Sequence, residues 1–208
     1  MGFYADHILP RCIDFTLGRG PILRARARIA QGLFGEVLEI GFGSGLNLPY
    51  YPAEVSKIHA VDPCETGKQL ARKRLQACTI PIAWAGLDGQ ALALPDASVD
   101  AVLSTFTLCT IPDLDVALAE LRRVLRPGGS FHFLEHGRSP EAQVARWQDR
   151  LDPIQQRLAG GCHLNRAIDQ QLRAAGFCLD TLDNYYLRGP KVGTYMFEGR
   201  ARLCDTHP

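Results

Sequence analysis

The run Glu-Val-Leu-Glu-Ile-Gly at 36–41 passes into a loop with glycines at 41, 43 and 45. Glycine lets a backbone turn tightly and lets a ligand come close to the main chain. Glu39, two residues before the first glycine, aims a carboxylate into the same crevice. Such a group attracts a cationic amino group and repels a pyrophosphate. The dinucleotide pattern G-x-G-x-x-G puts its third glycine one residue later than this chain does, at the position Leu46 holds. A helix expected directly after the loop would point its N–H groups at negative charge. Two further acids fall at strand-like ends. Asp62 lies about 20 residues after the loop, where an acid can take both hydroxyls of a ribose. Asp88 follows the third apolar run and is placed to accept from an adenine amino group.

A second set of reactive side chains lies further on. Glu135 and His136 close the run Gly-Ser-Phe-His-Phe-Leu-Glu-His-Gly at 129–137, and His163 follows in Gly-Gly-Cys-His-Leu-Asn-Arg. These three are the candidates for direct contact with a second substrate, as acid–base or positioning groups. His132 and His136 frame the letters H-x-x-E-H of a zinc-protease motif, but that chemistry needs helical spacing. The segment follows Arg-Pro-Gly-Gly and is rich in aromatic residues, so it reads as a strand. Its histidines would then lie about 13 Å apart, and no metal centre is expected. Arg166 and Arg188 are candidates for meeting an anionic substrate, and His59 reads as a core residue.

The elements that must position these groups alternate. Strand-like runs at 36–41, 57–62, 80–86, 98–106 and 129–137 are separated by helical patterns. At 64–77 Leu70, Ala71, Leu75 and Ala77 fall near one face. At 113–126 Leu114, Leu118, Leu121, Val124 and Leu125 form one stripe that Pro-Gly-Gly ends. Alternation of this kind predicts βαβ units and a mostly parallel sheet. After a helix near 165–176 come runs at 177–187 and 193–203, whose short connection predicts an antiparallel pair. The first 33 residues read as one or two helices, with Arg19, Arg24, Arg26 and Arg28 as a solvated face or a surface for substrate or lipid.

The 208 residues predict one domain, with an N-terminal helical cover (1–33), a ligand-binding half (34–136) and a second-substrate half (137–208). Hydrophobic residues at 46%, charged residues at 22% and a net charge of +1 describe a soluble globular chain without affinity for nucleic acid. No membrane-spanning run or signal peptide is read, which predicts a cytoplasmic protein without integral membrane association. Peripheral membrane contact through the arginine-rich helix and the oligomeric state are left open. The seven cysteines form no C-x-x-C pair and read as reduced, mostly buried thiols, with Cys109 near the site but packing.

Leu-Glu-Ile-Gly-Phe-Gly-Ser-Gly, Val-Asp-Pro at 61–63, Asp-Gly-Gln-Ala-Leu-Ala-Leu-Pro-Asp-Ala-Ser-Val-Asp-Ala-Val and Leu-Arg-Arg-Val-Leu-Arg-Pro-Gly-Gly-Ser-Phe together resemble the class I S-adenosylmethionine-dependent methyltransferases over roughly residues 35–136. The resemblance implies an α/β Rossmann-like fold, a seven-stranded mostly parallel sheet with an antiparallel last strand and helices on both faces. Glu39, Gly41, Gly43 and Gly45 would frame the methionine part of S-adenosyl-L-methionine, Asp62 its ribose, and Asp88 with Gly89 its adenine. Asn47, Pro63 and Thr105 would complete the cofactor contacts, and Gln90 stands where the family has an acid. Phe-Thr-Leu-Cys-Thr-Ile-Pro-Asp, Phe-Leu-Glu-His-Gly, Arg-Trp-Gln-Asp-Arg-Leu-Asp-Pro and Gly-Gly-Cys-His-Leu-Asn-Arg are similar to the methyltransferase-like subgroup that includes the animal alkyl-thiol S-methyltransferases. That resemblance implies a small-molecule methyl acceptor, with a thiol ahead of an amine, a hydroxyl or a phospholipid headgroup. A nicotinamide-dependent oxidoreductase and a non-catalytic S-adenosylmethionine-binding protein are the alternatives. The N-P-P-Y-type motif of enzymes acting on base nitrogens is absent, which argues against a DNA or RNA acceptor.

Overall fold

The computed structural model describes residues 2–204. The apolar runs become β1 (Gly35–Ile40), β2 (Val55–Val61), β3 (Ile82–Gly86), β4 (Val99–Thr105), β5 (Leu125–His136), β6 (Phe177–Tyr186) and β7 (Tyr195–Leu203). They form one sheet in the order β3-β2-β1-β4-β5-β7-β6. Strands β1 to β5 pair in parallel, while β7 runs antiparallel to both of its neighbours. Six strands therefore point one way and only β7 is reversed. Residues 187–194 are too few for a parallel crossover, so β7 has to return as a hairpin with β6. The chain moves outward from β1 to β3 and then resumes at β4 on the other side of β1. Ligands of open α/β sheets bind at such a reversal, outside the carboxyl ends of the strands.

Side-chain alternation gives each face its own core. Leu38, Ile40, Val102, Phe131 and Phe133 pack with α4 (Leu114–Val124) and α6 (Ile168–Ala174). Val37, Ile58, Ala60, Ala101, Leu103 and Leu134 pack with α2 (Gly20–Ala30) and Ala71 of α3 (Glu65–Ala77). Leu114, Ala117, Leu118, Leu121 and Val124 are the buried stripe of α4, at the spacing of one helix face. Asp113 caps that helix through the N–H of Val116 at 3.1 Å. Ahead of α2 lie a π-helical turn at Tyr4–Ile8 and α1 (Leu9–Leu17), and α5 (Ala142–Leu158) contains Pro153. The Asp152 side chain accepts the N–H of Leu164, on the segment that follows α5.

Several expectations are corrected. No helix follows the glycine loop, only a three-residue 3-10 turn at Leu48–Tyr50. Pro49 within the turn and Pro52 after it withhold N–H donors and bias the residues before them away from helical geometry. Leu125 belongs to β5 rather than to the α4 stripe, and Pro-Gly-Gly lies inside the first part of β5, where its register against β4 shifts. In α3 Ala71 is buried, but Ala77 is exposed. Cys178 and Cys204 are joined as a disulfide, and of the five free cysteines only Cys109 is fully buried.

Candidate active site

Glu39 sits at the end of β1 with 1% of its surface exposed. Its two oxygens accept from Asn47 Nδ2 and the Tyr51 hydroxyl, each at 2.7 Å. Burial pushes its pKa up to about 7, against the opposing pull of these hydrogen bonds and of Arg26. Arg26 on α2 is 4% exposed. Its Nη1 donates to Asn47 Oδ1 and Thr105 Oγ1, both at 2.7 Å, and its Nε donates to the Leu17 carbonyl at 3.5 Å. Every one of these acceptors is neutral. Desolvation lowers the guanidinium pKa to about 10, although Glu39 and Glu135 oppose it. A buried cation without a carboxylate directly on it and a buried carboxylate without a cation directly on it are thus bridged by Asn47.

The loop itself is held from β2. Gly41, Gly43 and Gly45 all have positive φ, as does the non-glycine Phe106 at φ 56° just past β4. That strained residue lies under the Arg26 guanidinium, 5.5 Å from guanidinium carbon to ring centroid. Asp62 is 7% exposed and accepts the N–H of Gly43 and the N–H of Cys64, both at 2.7 Å. Each oxygen keeps a further lone pair for a ligand hydroxyl. Pro63 and Asp88 are exposed, and Asp88 accepts from the backbone N–H of Gln90 at 2.9 Å, while Gly89 is buried against Ile40. The structure thus gathers Glu39, the three glycines, Asn47, Asp62 and Thr105 at the carboxyl ends of β1, β2 and β4, with Asp88 and Gly89 on the loop after β3.

At the end of β5 the candidates separate. Glu135 is fully buried, and its Oε1 accepts from Ser104 Oγ at 2.7 Å and from the N–H of Thr107 at 3.0 Å. Its Oε2 has no partner among the described residues, and burial pushes its pKa up. His136 is buried as well, with Nε2 3.3 Å from Cys162 Sγ and Nδ1 unpartnered. Cys162 Sγ is in turn 3.4 Å from Cys109 Sγ. The Cys109 sulfur first, and burial second, hold the Cys162 thiol well above its ordinary pKa. His163 Nδ1 lies 3.1 Å from Asp152 Oδ2, which orients its ring. Arg166 is not free for a substrate: it donates to the backbone carbonyls of Leu108, Ile111 and Pro112. Arg188 is exposed, and His59 pairs with Glu36 at 2.6 Å. His132 lies on β5 as expected and bonds the Ile29 carbonyl at 2.7 Å.

The sequence groups Arg26 with Arg19, Arg24 and Arg28 as a solvated face or a surface for substrate or lipid, and its burial corrects the solvated reading for Arg26. Those three are exposed, but Arg26 shares the buried i, i+3, i+4 face with Ile29 and Ala30. That spacing was the available signal. Tyr51 and Cys162 carried none.

Comparison with known proteins is consistent with this geometry. Residues 38–133 match the family model described as a methyltransferase domain. The chain is 35% identical over 156 residues to a thiol S-methyltransferase, TMT1B, of Rattus norvegicus, covering 71% of this chain and 62% of that one. It is 28% identical over 163 residues to a phosphatidylethanolamine N-methyltransferase of Cereibacter sphaeroides, covering 76% of this chain and 78% of that one. A solved SAM-dependent methyltransferase of Thermotoga maritima superposes with a TM-score of 0.68 at 20% identity, covering 96% of this chain and 98% of that chain. The chain thus spans just under two thirds of the length of the rat relative.

Proposed function

Residues 38–133 belong to the methyltransferase-domain family, and from this premise we propose that the protein transfers the methyl group of S-adenosylmethionine to the sulfur of a small thiol. The observation that carries the donor is the adjacency of Arg26 and Glu39, which Asn47 bridges. An α-amino acid presents an ammonium and a carboxylate side by side, and the crevice presents the matching carboxylate and guanidinium. A pyrophosphate would meet Glu39 without the helix N-terminus that dinucleotide sites supply, because Leu48–Tyr50 is only a 3-10 turn. Asp62 would hold the ribose hydroxyls, and the Asp88–Gly89 turn the adenine. Bound there, S-adenosylmethionine supplies a methyl carbon on a positively charged sulfur, an excellent leaving group.

What remains for the protein is to hold the acceptor in line with that carbon and to exclude water. We assign the acceptor end to His136 and His163, at the carboxyl end of β5 and on the loop after α5. Glu135 positions them by fixing the turn at Thr107. A thiol must also lose its proton near neutral pH, as must an amine headgroup, which is an ammonium there, before either can accept the methyl group. The name of the rat relative favours sulfur, and that of the bacterial relative favours a lipid amine.

The test is direct. Purified protein is titrated calorimetrically with S-adenosylmethionine, and S-adenosylhomocysteine release is measured with benzenethiol, ethanolamine and phosphatidylethanolamine vesicles. Binding followed by release with the thiol is expected. Release with vesicles alone would replace the thiol by a lipid amine, and absence of donor binding by folded protein would end the reading.

A further inference from the structure

We propose that Cys109, His136 and Cys162 form a three-ligand site for a zinc ion whose open fourth position takes the acceptor sulfur. The proposal deepens the thiol reading above and rests on it for the identity of the fourth ligand. One ligand atom from each residue lies within 4.8 Å of the other two, and Cys109 and His136 are buried. Zinc bound tetrahedrally at about 2.3 Å to sulfur and about 2.0 Å to nitrogen sets its ligand atoms about 3.8 Å apart for a sulfur pair and about 3.5 Å for sulfur and nitrogen. The observed separations are 3.4 Å between the sulfurs and 3.3 Å between Cys162 Sγ and His136 Nε2. A sulfur pair at 3.4 Å is far from the bonded distance of about 2.05 Å, so the thiols are unjoined.

One observation points to an occupant and a second shows the frame that would receive it. His136 is buried, yet Nε2 faces only a thiol, a weak partner, and Nδ1 faces none among the described residues. Burying an imidazole nitrogen without a strong partner is costly, and a metal ion on Nε2 removes that cost at Nε2. The frame is also built without help from the thiols. The N–H of His163 donates to the carbonyl of Cys109 at 2.8 Å, tying the two cysteine loops together, and Arg166 holds the carbonyls of Leu108 and Ile111 on either side of Cys109. Among the described residues no fourth ligand completes the cluster. Structural zinc sites are closed by four protein ligands, whereas three ligands and an open position mark a catalytic one.

The chemistry balances. Cys109 and Cys162 release their protons to solvent as the metal binds, and an acceptor thiol entering the fourth position releases its own. A lone pair on the acceptor sulfur forms the new bond to the methyl carbon. The pair of the breaking bond goes to the donor sulfur, which leaves as a neutral thioether. The methylated acceptor is also a neutral thioether, a poorer ligand than a thiolate, and departs.

Metal content of the full chain, purified without chelator, is measured by mass spectrometry for the wild type and for the Cys109→Ser, Cys162→Ser and Cys78→Ser variants. Stoichiometric zinc is expected in the wild type and in Cys78→Ser, with at least a tenfold loss in the other two. Donor affinity and circular dichroism verify their folding. Because a variant can fail to fold, the wild type is also loaded with cobalt, whose thiolate absorption should appear and then shift when benzenethiol is added. No zinc and no cobalt spectrum, or a Cys109–Cys162 disulfide in the active protein, would overturn the site. A cobalt spectrum that benzenethiol leaves unchanged would overturn the open position. Thiol methylation at full rate by metal-free protein would reject zinc and keep the thiol reading; bound zinc with a shifted cobalt band but methylation of amines alone would do the reverse.

Discussion

One oxygen of Asp62 accepts the N–H of Gly43 at 2.7 Å, so the acid at the end of β2 fastens the loop at the end of β1. The same carboxylate receives the N–H of Cys64 at 2.7 Å and starts the approach to α3. The acid proposed for a ligand hydroxyl is therefore also the clamp of the loop proposed to hold the rest of that ligand. Asp62→Ala should lose both and destabilise the fold by about 1–3 kcal/mol, the cost of leaving buried donors unpaired. Asp62→Asn keeps one acceptor oxygen and should lose less donor affinity than Asp62→Ala. Urea unfolding and calorimetric titration of both variants check the order.

Gly41 and Gly43 should differ sharply although they look alike in sequence. Both have positive φ, at 73° and 54°. A Cβ on Gly41 would land on the Thr107 side chain, whereas one on Gly43 meets nothing closer than 3.9 Å. Gly43→Ala should cost only the left-handed backbone penalty of about 1–2 kcal/mol. Gly41→Ala should displace the turn after β4 as well and abolish donor binding. Thermal melts and donor titrations of the pair provide the comparison.

Glu39 makes donor binding depend on pH. Its pKa in the fold is about 7, above the ordinary 4.5, with Arg26, Tyr51 and Asp62 as the ionisable groups around it. Stability from holding it neutral is full below about 4.5 and is lost as pH rises through about 7. Donor binding runs the other way, because an ammonium pairs with the ionised form. Affinity should rise from pH 6 towards pH 8 and fall once the donor's own amine, near about 8, loses its proton. In Glu39→Gln the rising limb should disappear, which titrations at several pH values would reveal.

Arg123 holds the loop after β3, proposed to meet the adenine, from a distance. Its fork meets Glu120 at 2.7 and 2.8 Å, and its remaining donors reach the carbonyls of Leu92 and Leu94 at 3.1 and 2.8 Å and the Asp96 carboxylate at 2.7 Å. Lysine cannot form that fork. Arg123→Lys should cost about 1–2 kcal/mol and weaken donor binding severalfold, with faster amide exchange across residues 88–96. Unchanged exchange there would dismiss the loop-holding role.

His132 tests the core rather than the site. Burial is the largest cause that lowers its pKa to about 4, below the ordinary 6.5. Its stabilising contribution is present above about 6.5 and is lost as pH falls towards about 4, a difference of order 3 kcal/mol. The loss of stability between pH 7 and pH 5 should be smaller in His132→Gln, as urea midpoints at both values would show.

The sheet was legible because its strands are apolar runs that stop abruptly at a glycine, as at Gly41, or at an acid, as at Asp62. The placement of Glu39 and Asp62 at the carboxyl ends of neighbouring strands was legible from the same runs, whereas their structural partners, Asn47 and Tyr51 for Glu39 and the N–H groups of Gly43 and Cys64 for Asp62, were not. The helix after the glycines was misread because the loop motif implies one, while Pro49 and Pro52 forbid it locally. Arg26 was misread because an arginine among arginines looks solvated, and only its spacing to Ile29 and Ala30 says otherwise. Cys109 and Cys162, 53 residues apart, meet only through folding, so no spacing rule reaches them. The bond between Cys178 and Cys204 was hidden in the same way, since pairing cannot be deduced from cysteine positions alone.

Two residues on α2 settle how its cover can behave. Arg26 underlies the crevice, while Arg28 forks into Glu198 of the reversed strand at 2.8 and 2.7 Å. Arg200 of the same strand reaches the carbonyl of Gln31 just beyond the helix. This helix is thereby riveted to β7, like a door jamb to its wall. The segment before it is fastened more lightly, by Tyr4 to Leu158, Thr66 to Asp6 and Arg74 to Asp14, and it joins α2 through Gly18 and Gly20. Arg26 is thus presented beside Glu39 from a helix that the reversed strand anchors at two points, and its Nε ties the end of the preceding stretch, at the Leu17 carbonyl, to the same anchor.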